Sequence, residues 1–344
     1  VTSNRYLRGK YSICGVGETT YRRGSAESTR SLATWAISNA MKDAGMDSGD
    51  IDGMLSYSGN DSTFAPWVAG DLGIRLNFYM DVHGGGSSTE ALIGIAMGVI
   101  EAGMCKTVAI YRAMNGYSAV RIGGTGARSA APILGDQIHH RAYGWQSAGQ
   151  MFAPTFLRHM YDYGTTPEQV AAVKVAHSKH ASNNPKAFYK QRYTVEDVVS
   201  SRIICKPLHL LDCCVETDNA TCIIVTRTER ARDCPNPPAV IQSVVGRCCK
   251  PRADMHYQHG PISTVAGHYA KDIYGQMRDL DQKMLMLRDH MTHLPLLRCC
   301  NLRTTVFARK VKAANTCRMV QLNSVVGAQI IRRVDIFVRV IRME

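Results

Sequence analysis

Residues 81–113 read DVHGGGSSTEALIGIAMGVIEAGMCKTVAIYRA, and the reading of the fold turns on them. Gly84, Gly85 and Gly86 lead into Ser87 and Ser88. A helix-length apolar run follows over residues 89–102. Its Leu92, Ile93, Ile95, Ala96, Met97, Val99 and Ile100 occupy every face of a 3.6-residue wheel, which predicts a helix buried all round. The run is too short to span a bilayer, which takes about 20 apolar residues. Gly103 stops it, and residues 106–112 (KTVAIYR) read as a strand.

A buried helix entered through bare glycines presents its N-terminal end. The first N–H groups lack intrahelical partners and carry the positive end of the dipole. Such an end suits a phosphate, a carboxylate or a developing oxyanion. The same spacing also suits a tight turn with Ser87 or Ser88 as an ordinary N-cap. Spacing leaves both readings open.

Working outward, 344 residues can bury a large core and suggest two domain-sized units. With 45% hydrophobic and 20% charged residues the composition is globular. No signal peptide or transmembrane run is recognisable, so the expected compartment is cytoplasmic. The twelve cysteines have no zinc-like spacing, and no metal site is expected. Cys213 and Cys214, Cys248 and Cys249, and Cys299 and Cys300 are vicinal pairs, read as reduced thiols filling the core. The net charge of +13 would suit nucleic acid, but its distribution excludes that reading. Residues 277–344 hold thirteen Lys and Arg against five Asp and Glu, and a single glycine, Gly327.

Taken in order, the chain alternates strands and helices. Residues 11–16 (YSICGV) form a first strand. Ser28 and Thr29 precede a helix over 30–44 with Leu32, Ala36, Ile37, Ala40 and Met41 on one face, ended by Gly45. A second strand covers 51–57, and 60–77 reads as loop with some helical character. RIGGTGAR at 121–128 imitates a phosphate loop but lies in no strand–helix unit, which argues against a dinucleotide site. Residues 154–163 read as a helix. Thr166, Pro167 and Glu168 start another that runs to about Ser182. His177 and His180 on it read as solvated positions, since no third ligand is suggested. Further on come a helix opened by Thr194, a buried strand over 220–226, a short helix over 229–232, a linker at Asn236, Pro237 and Pro238, a strand over 239–245, and a helix beginning at 268.

Four segments together carry a family resemblance: GVGETTY (15–21), GGGSS with its helix, RHMYDYGTTPEQVAAV (158–173) and SRIICKPLHLLDCCVETDNA (201–220). The chain resembles the thiolase superfamily in its sterol-carrier or lipid-transfer-protein branch, nearly continuously over residues 8–276. The resemblance implies an α/β fold of two βαβαβαββ halves, layered αβαβα, in a homodimer. It divides the chain into an N-terminal half over 1–235, the start of a second half over 236–276, and a basic tail over 277–344.

Thiolases carry a nucleophilic cysteine at the start of the buried helix. Aligned on AMGVIEAG (96–103), that position falls at Gly86, which has no attacking group. Ser87 and Ser88 have no adjacent base, and an unactivated serine is a poor nucleophile. The resemblance therefore points to the cysteine-less steroid side-chain aldolases. These perform retro-aldol cleavage of a β-hydroxyacyl-CoA, with tyrosines of the C-terminal half as acid and base, beside a small OB-fold and zinc-ribbon partner. The implied binding residues are Gly84, Gly85, Gly86, Ser87 and Ser88, with coenzyme A entering as part of the substrate and no resident cofactor. A thiolase acyltransferase and a non-catalytic lipid or acyl-CoA carrier are the alternatives.

Beyond Gln276 no family motif is present as written. Read through synonymous codons two nucleotides later, however, MRDLDQKMLML permits AGPRPKDVNA. Further text in the same displaced frame permits SYDSFTP and EGYTHG, segments that look like the family's C-terminal half and supply its tyrosines. Residues 277–344 thus read as an out-of-frame translation. Within them 335–341 (DIFVRVI) alternates by chance and is expected to take strand form. The chain as written is expected to lack its acid and base groups.

Overall fold

The computed structural model describes residues 7, 9–58, 61–83, 88–118, 143, 148–213, 215–244 and 338–342. The phosphate-loop imitation at 121–128, the helix expected from 268 and residues 277–337 lie outside them. The described chain divides into two compact units.

The first unit runs β1 (Tyr11–Glu18), α1 (Thr29–Ala44), β2 (Gly53–Ser58), α2 (Ala65–Leu72), β3 (Phe78–His83), α3 (Ser88–Glu101) and β4 (Thr107–Asn115). After the second unit it continues with β7 (Asp218–Arg227), α7 (Thr228–Ala231), β8 (Ala239–Val244) and β9 (Val338–Arg342). From β1 through β4 to β7 the strand and helix succession is the βαβαβαββ expected of a thiolase half, with short α7 following it. The sheet order is β3-β2-β4-β7-β1-β8-β9. Strand β2 pairs in parallel with β3 and β4, while β7 is antiparallel to both β4 and β1. All four of β1–β4 therefore point one way. In β9, part of the alternating stretch of the tail, Ile341 pairs with Val240 of β8.

Helix α1 forms where capping and periodicity agree. Ser28 accepts the N–H of Ser31 at its start, and Gly45 closes it at φ 64°. Leu32, Ala33, Ala36, Ile37, Ala40, Met41 and Ala44 are buried along one stripe and pack with α2 on one face of the sheet. Strand β1 meets α1 through glycines. A Cβ at Gly17 would stand 2.0 Å from the Ala36 carbonyl oxygen, and one at Gly15 2.5 Å from that of Ala40. Backbone contact this close admits no side chain.

Helix α3 covers the opposite face. Leu92, Ile93, Ala96, Met97 and Ile100 are buried against Ile13, Leu55, Val108, Ile110, Ile223 and Val225. The expectation of a helix buried on every side is corrected here: Ile95 and Val99 are only half-buried and Gly98 is exposed. One sheet can bury only one stripe of a helix.

The second unit contains α4 (Ala148–Tyr163), α5 (Pro167–Ser182), α6 (Val195–Val199) and the two-stranded pair β5 (Ile203–Cys205) and β6 (Leu208–His209). Thr166 and Gln169 cap α5 reciprocally, as Thr194 and Asp197 cap α6. Phe156, Val170 and Leu208 form its small core.

Replacing Gly17 by Ala forces a methyl group into the α1 backbone. The expected cost is about 3 kcal/mol. Thermal unfolding should show a melting point lower by roughly 5–10 °C, and an unchanged melt would mean that α1 does not pack on β1 as described.

Candidate active site

The strand ends form the candidate site. Of the residues singled out in the sequence, Gly84, Gly85, Gly86 and Ser87 lie outside the described residues. Ser88 is the first residue of α3 and is half-buried. The helix is fixed at its other end. Glu101, its last residue, accepts the Tyr11 hydroxyl and pairs with Lys10 at 3.3 Å and Arg227 at 3.7 Å. The Tyr11 hydrogen bond, helped by Lys10 and Arg227, holds the Glu101 carboxyl below its usual range against the effect of burial. From this anchor the 14 residues of α3 reach about 21 Å. The 8 residues of β1 span about 23 Å from Tyr11. Helix and strand are similar in length, and Thr221, which pairs with Glu18 at the end of β1, is exposed and not covered by α3.

At that level the α3 side of the sheet changes character. Ile110 and Ile223, which face each other across β4 and β7, are buried under α3. Two residues further, the facing pair is Arg112 and Thr221. Glu18 of β1 lies level with Thr221 on its other side. A polar row, Arg112–Thr221–Glu18, thus crosses three central strands just beyond the apolar floor. Thr221 is exposed although its strand is central. Tyr21 donates to Glu18 at 3.4 Å. Arg112 donates to Asp61, stands 4.8 Å from the centre of the Tyr57 ring, and is nearly buried, with 12% of its side chain exposed. Its Nε–H is buried with no acceptor among the described residues.

Asp218 holds the loops around this row. Its buried carboxylate accepts the N–H groups of Gly24 (3.2 Å), Ser25 (2.9 Å), Tyr117 (2.9 Å) and Ser118 (2.9 Å), and the Ser118 hydroxyl. Burial alone would raise its carboxyl, but the bonds from Ser118, Ser25 and Tyr117 hold it below the usual range. Arg23 lies 4.2 Å from the centre of the Tyr117 ring and closes the same junction. On the far edge, Asp81 accepts the Ser56 hydroxyl and the Ala65 N–H, which sets the start of α2 beside β3. Burial pushes the thiols of Cys14 and Cys222 up, and that of Cys105 up to about 11, so these cysteines are packing groups.

The polar row escapes a reading of the sequence because its members lie in strands far apart in the chain. Glu18 stood in a family segment, and Arg112 within the central stretch, without any sign that they share a face. Asp218 carried one faint signal, an acidic residue opening a strand whose centre, residues 222–225, is apolar.

No protein-family profile matches the chain. Among curated proteins it is similar to a steroid side-chain-cleaving aldolase of Thermomonospora curvata, 34% identical over 84% of this chain and 76% of that one. It is similar also to the 17-hydroxy-3-oxo-4-pregnene-20-carboxyl-CoA lyase of Mycobacterium tuberculosis, 33% identical over 85% of this chain and 78% of that one. Among solved structures, the Ltp2-ChsH2(DUF35) aldolase superposes with a TM-score of 0.77 at 31% identity, over 91% of this chain and 81% of that one. A monomeric SCP2-thiolase-like protein of Mycobacterium smegmatis, 19% identical, shares the fold with a TM-score of 0.63 over 89% of this chain and 66% of that one.

Asp218→Asn is an isosteric change, yet both carboxylate oxygens accept backbone N–H groups, so the new amide NH2 meets a donor in either orientation. The expected loss is at least about 2 kcal/mol. Because the folded-state carboxyl is held low, its contribution is present above the unfolded value near 4 and is lost as pH falls through the lower folded value. Urea titrations from pH 7 to pH 3 should therefore show the variant's deficit shrinking toward acid. A constant deficit would refute the assignment.

Proposed function

The chain belongs to the thiolase superfamily, in the branch of the steroid side-chain-cleaving aldolases, and from that membership we propose retro-aldol cleavage of a β-hydroxyacyl-CoA as its reaction. The observation that carries this reading is identity of about a third to two such lyases over more than four-fifths of the chain. A base takes the β-hydroxyl proton, the Cα–Cβ bond breaks, and its electron pair forms the thioester enolate. Unpaired N–H groups in the first turn of α3 stabilise the enolate oxygen. Protonation at Cα then releases the shortened acyl-CoA. No enzyme nucleophile takes part, in keeping with Gly86 at the nucleophile position. The reading uses no resident cofactor, since coenzyme A arrives with the substrate. A bulky, steroid-like acyl group follows from the same relatives.

Acyl transfer is the second reading, favoured by 29% identity to an acetyl-CoA acetyltransferase of Methanothermobacter thermautotrophicus over 67% of this chain. Gly86 opposes it, because thiolysis needs a thiolate there. A small DUF35-type partner is proposed from the complex with which the structure superposes. Homodimerisation is supported by β3, which edges the sheet among the described residues with Tyr79 and Met80 exposed. The free thiols among the described residues suit a reducing, cytoplasmic compartment.

The 344-residue chain and a counterpart with the frame restored from residue 277 are to be assayed side by side, each with a DUF35-type partner. Cleavage of a β-hydroxyacyl-CoA is expected from the restored chain and not from the chain as written. Equal turnover by both would remove the out-of-frame reading of the tail. Neither should thiolyse a 3-oxoacyl-CoA, and thiolysis abolished by iodoacetamide would replace the aldolase reading with acyl transfer. The dimer is checked by sedimentation: Met80→Lys on the β3 edge is expected to shift it to monomer, and an unchanged sedimentation coefficient would move the interface elsewhere.

A further inference from the structure

We infer that the connection between α5 and α6 is a membrane-docking surface, and that its partner is an anionic lipid bilayer. This role is independent of the aldolase reaction. Between Glu168 and Glu196 the chain has no acidic residue and five Lys and Arg. Three of the five, Lys186, Lys190 and Arg192, fall within residues 183–192. Nine of those ten residues are exposed, and only Ala187 is half-buried. A segment lying flat on a protein turns some of its side chains inward, so one exposed at nearly every position stands out from the body. On it Phe188 and Tyr189 are 38% and 46% exposed and pack edge to face, with ring centres 4.8 Å apart. The turn is held in shape. Asn184 accepts the Lys186 N–H on its side chain at 3.0 Å and the Ala187 N–H on its carbonyl at 3.1 Å. Ser182 and Ser178 of α5 accept the Arg192 Nε–H at 3.0 Å and the Tyr193 N–H at 3.1 Å. The next carboxylates in the chain, Glu196 and Asp197, lie in the first turn of α6, where Asp197 accepts the N–H and hydroxyl of Thr194.

Charge and shape together select the partner. A protruding cationic turn meets a flat field of headgroup phosphates with all its charges at once, and each Lys or Arg near such a surface strengthens attachment about fivefold. Aromatic rings settle at the boundary between headgroups and acyl chains, where their apolar bodies leave water. Phe188 and Tyr189, flanked by Lys186 and Lys190, supply that second element. A free nucleotide fits the same geometry poorly, because small-molecule sites are concave. Single-stranded nucleic acid stacks its bases on open ring faces. Here the two rings meet at 75° and form one compact apolar knob.

The test is co-sedimentation of the full 344-residue chain, and of its frame-restored counterpart, with vesicles of phosphatidylglycerol and phosphatidylcholine in equal parts and with vesicles of phosphatidylcholine alone. Both proteins should bind the anionic vesicles about tenfold or more tightly, and the binding should weaken as salt rises from about 0.1 M to about 1 M. Replacing Lys186 and Lys190 together by Gln should lower it about 25-fold. Phe188→Ser should lower it about tenfold. These side chains are exposed, so the thermal melts should not move. Phe188→Trp should retain binding, and its added emission should shift to the blue on anionic vesicles only. No binding by either parent, equal binding to both kinds of vesicle, or unchanged binding in the folded Lys and Ser variants overturns the inference; in the last case the attraction belongs elsewhere on the chain, such as the basic tail. Displacement from the vesicles by free coenzyme A would assign the cations to a nucleotide and overturn it as well. So would tighter binding to a short DNA duplex that is lost in the same variants. If Phe188→Ser fails to fold, an emission of Phe188→Trp that stays unshifted on anionic vesicles overturns it.

Discussion

Five hydrogen bonds converge on the Asp218 carboxylate, and the arrangement of the strand ends depends on them. They join three pieces of chain: the loop after β1, the loop after β4 and the first residue of β7. Each donor is a backbone N–H or a serine hydroxyl, so a buried negative charge is held by dipoles rather than by a counter-charge. Such a group is costly to bury and costly to disturb, because every donor it loses is a buried polar group left unmatched. The outcome is a rigid rim around the polar row, built on the strand ends and their adjoining turns.

The site itself arises where one structural requirement ends. Helix α3 needs an apolar floor for as long as it lies on the sheet, and Ile110, Ile223 and Val16 provide it. Beyond that floor nothing apolar is required, and Arg112, Thr221 and Glu18 occupy the next row. A polar surface inside a central sheet thus begins where the floor under the helix stops. The anchoring of Glu101 by Tyr11, Lys10 and Arg227 fixes the far end of that helix.

Much of this was legible in the sequence. Helix α1 was expected over 30–44 and runs Thr29–Ala44, since Ser28, Gly45 and its apolar stripe agree. Helix α5 starts at Pro167 for the same reason. Strand β3 was missed because an edge strand buries neither face cleanly, and FYMDVH alternates poorly. Helix α4 begins at Ala148, ahead of Pro154, because the proline sits inside the helix and does not open it. The apolar wheel of α3 was right about location and type but overstated burial. Periodicity reports which residues can be buried, and only the partner layers decide which are. The polar row was invisible because register across β1, β7 and β4 joins residues about 90 to 200 positions apart, and no local pattern encodes it.

The place of β7 in the sheet bears on how the chain is born. It is inserted between β4 and β1, yet it follows β4 by about a hundred residues, within which the second unit forms. At ordinary elongation rates of about 5–20 residues per second, β4 leaves the ribosome roughly 5–20 s, and β1 roughly 10–40 s, before the strand that joins them. During that interval two long, apolar strand edges stand open with their future partner still unmade. The N-terminal unit cannot close domain by domain as it emerges, and its soluble yield should depend on chaperones that shield β-edges and on translation speed between codons 116 and 217.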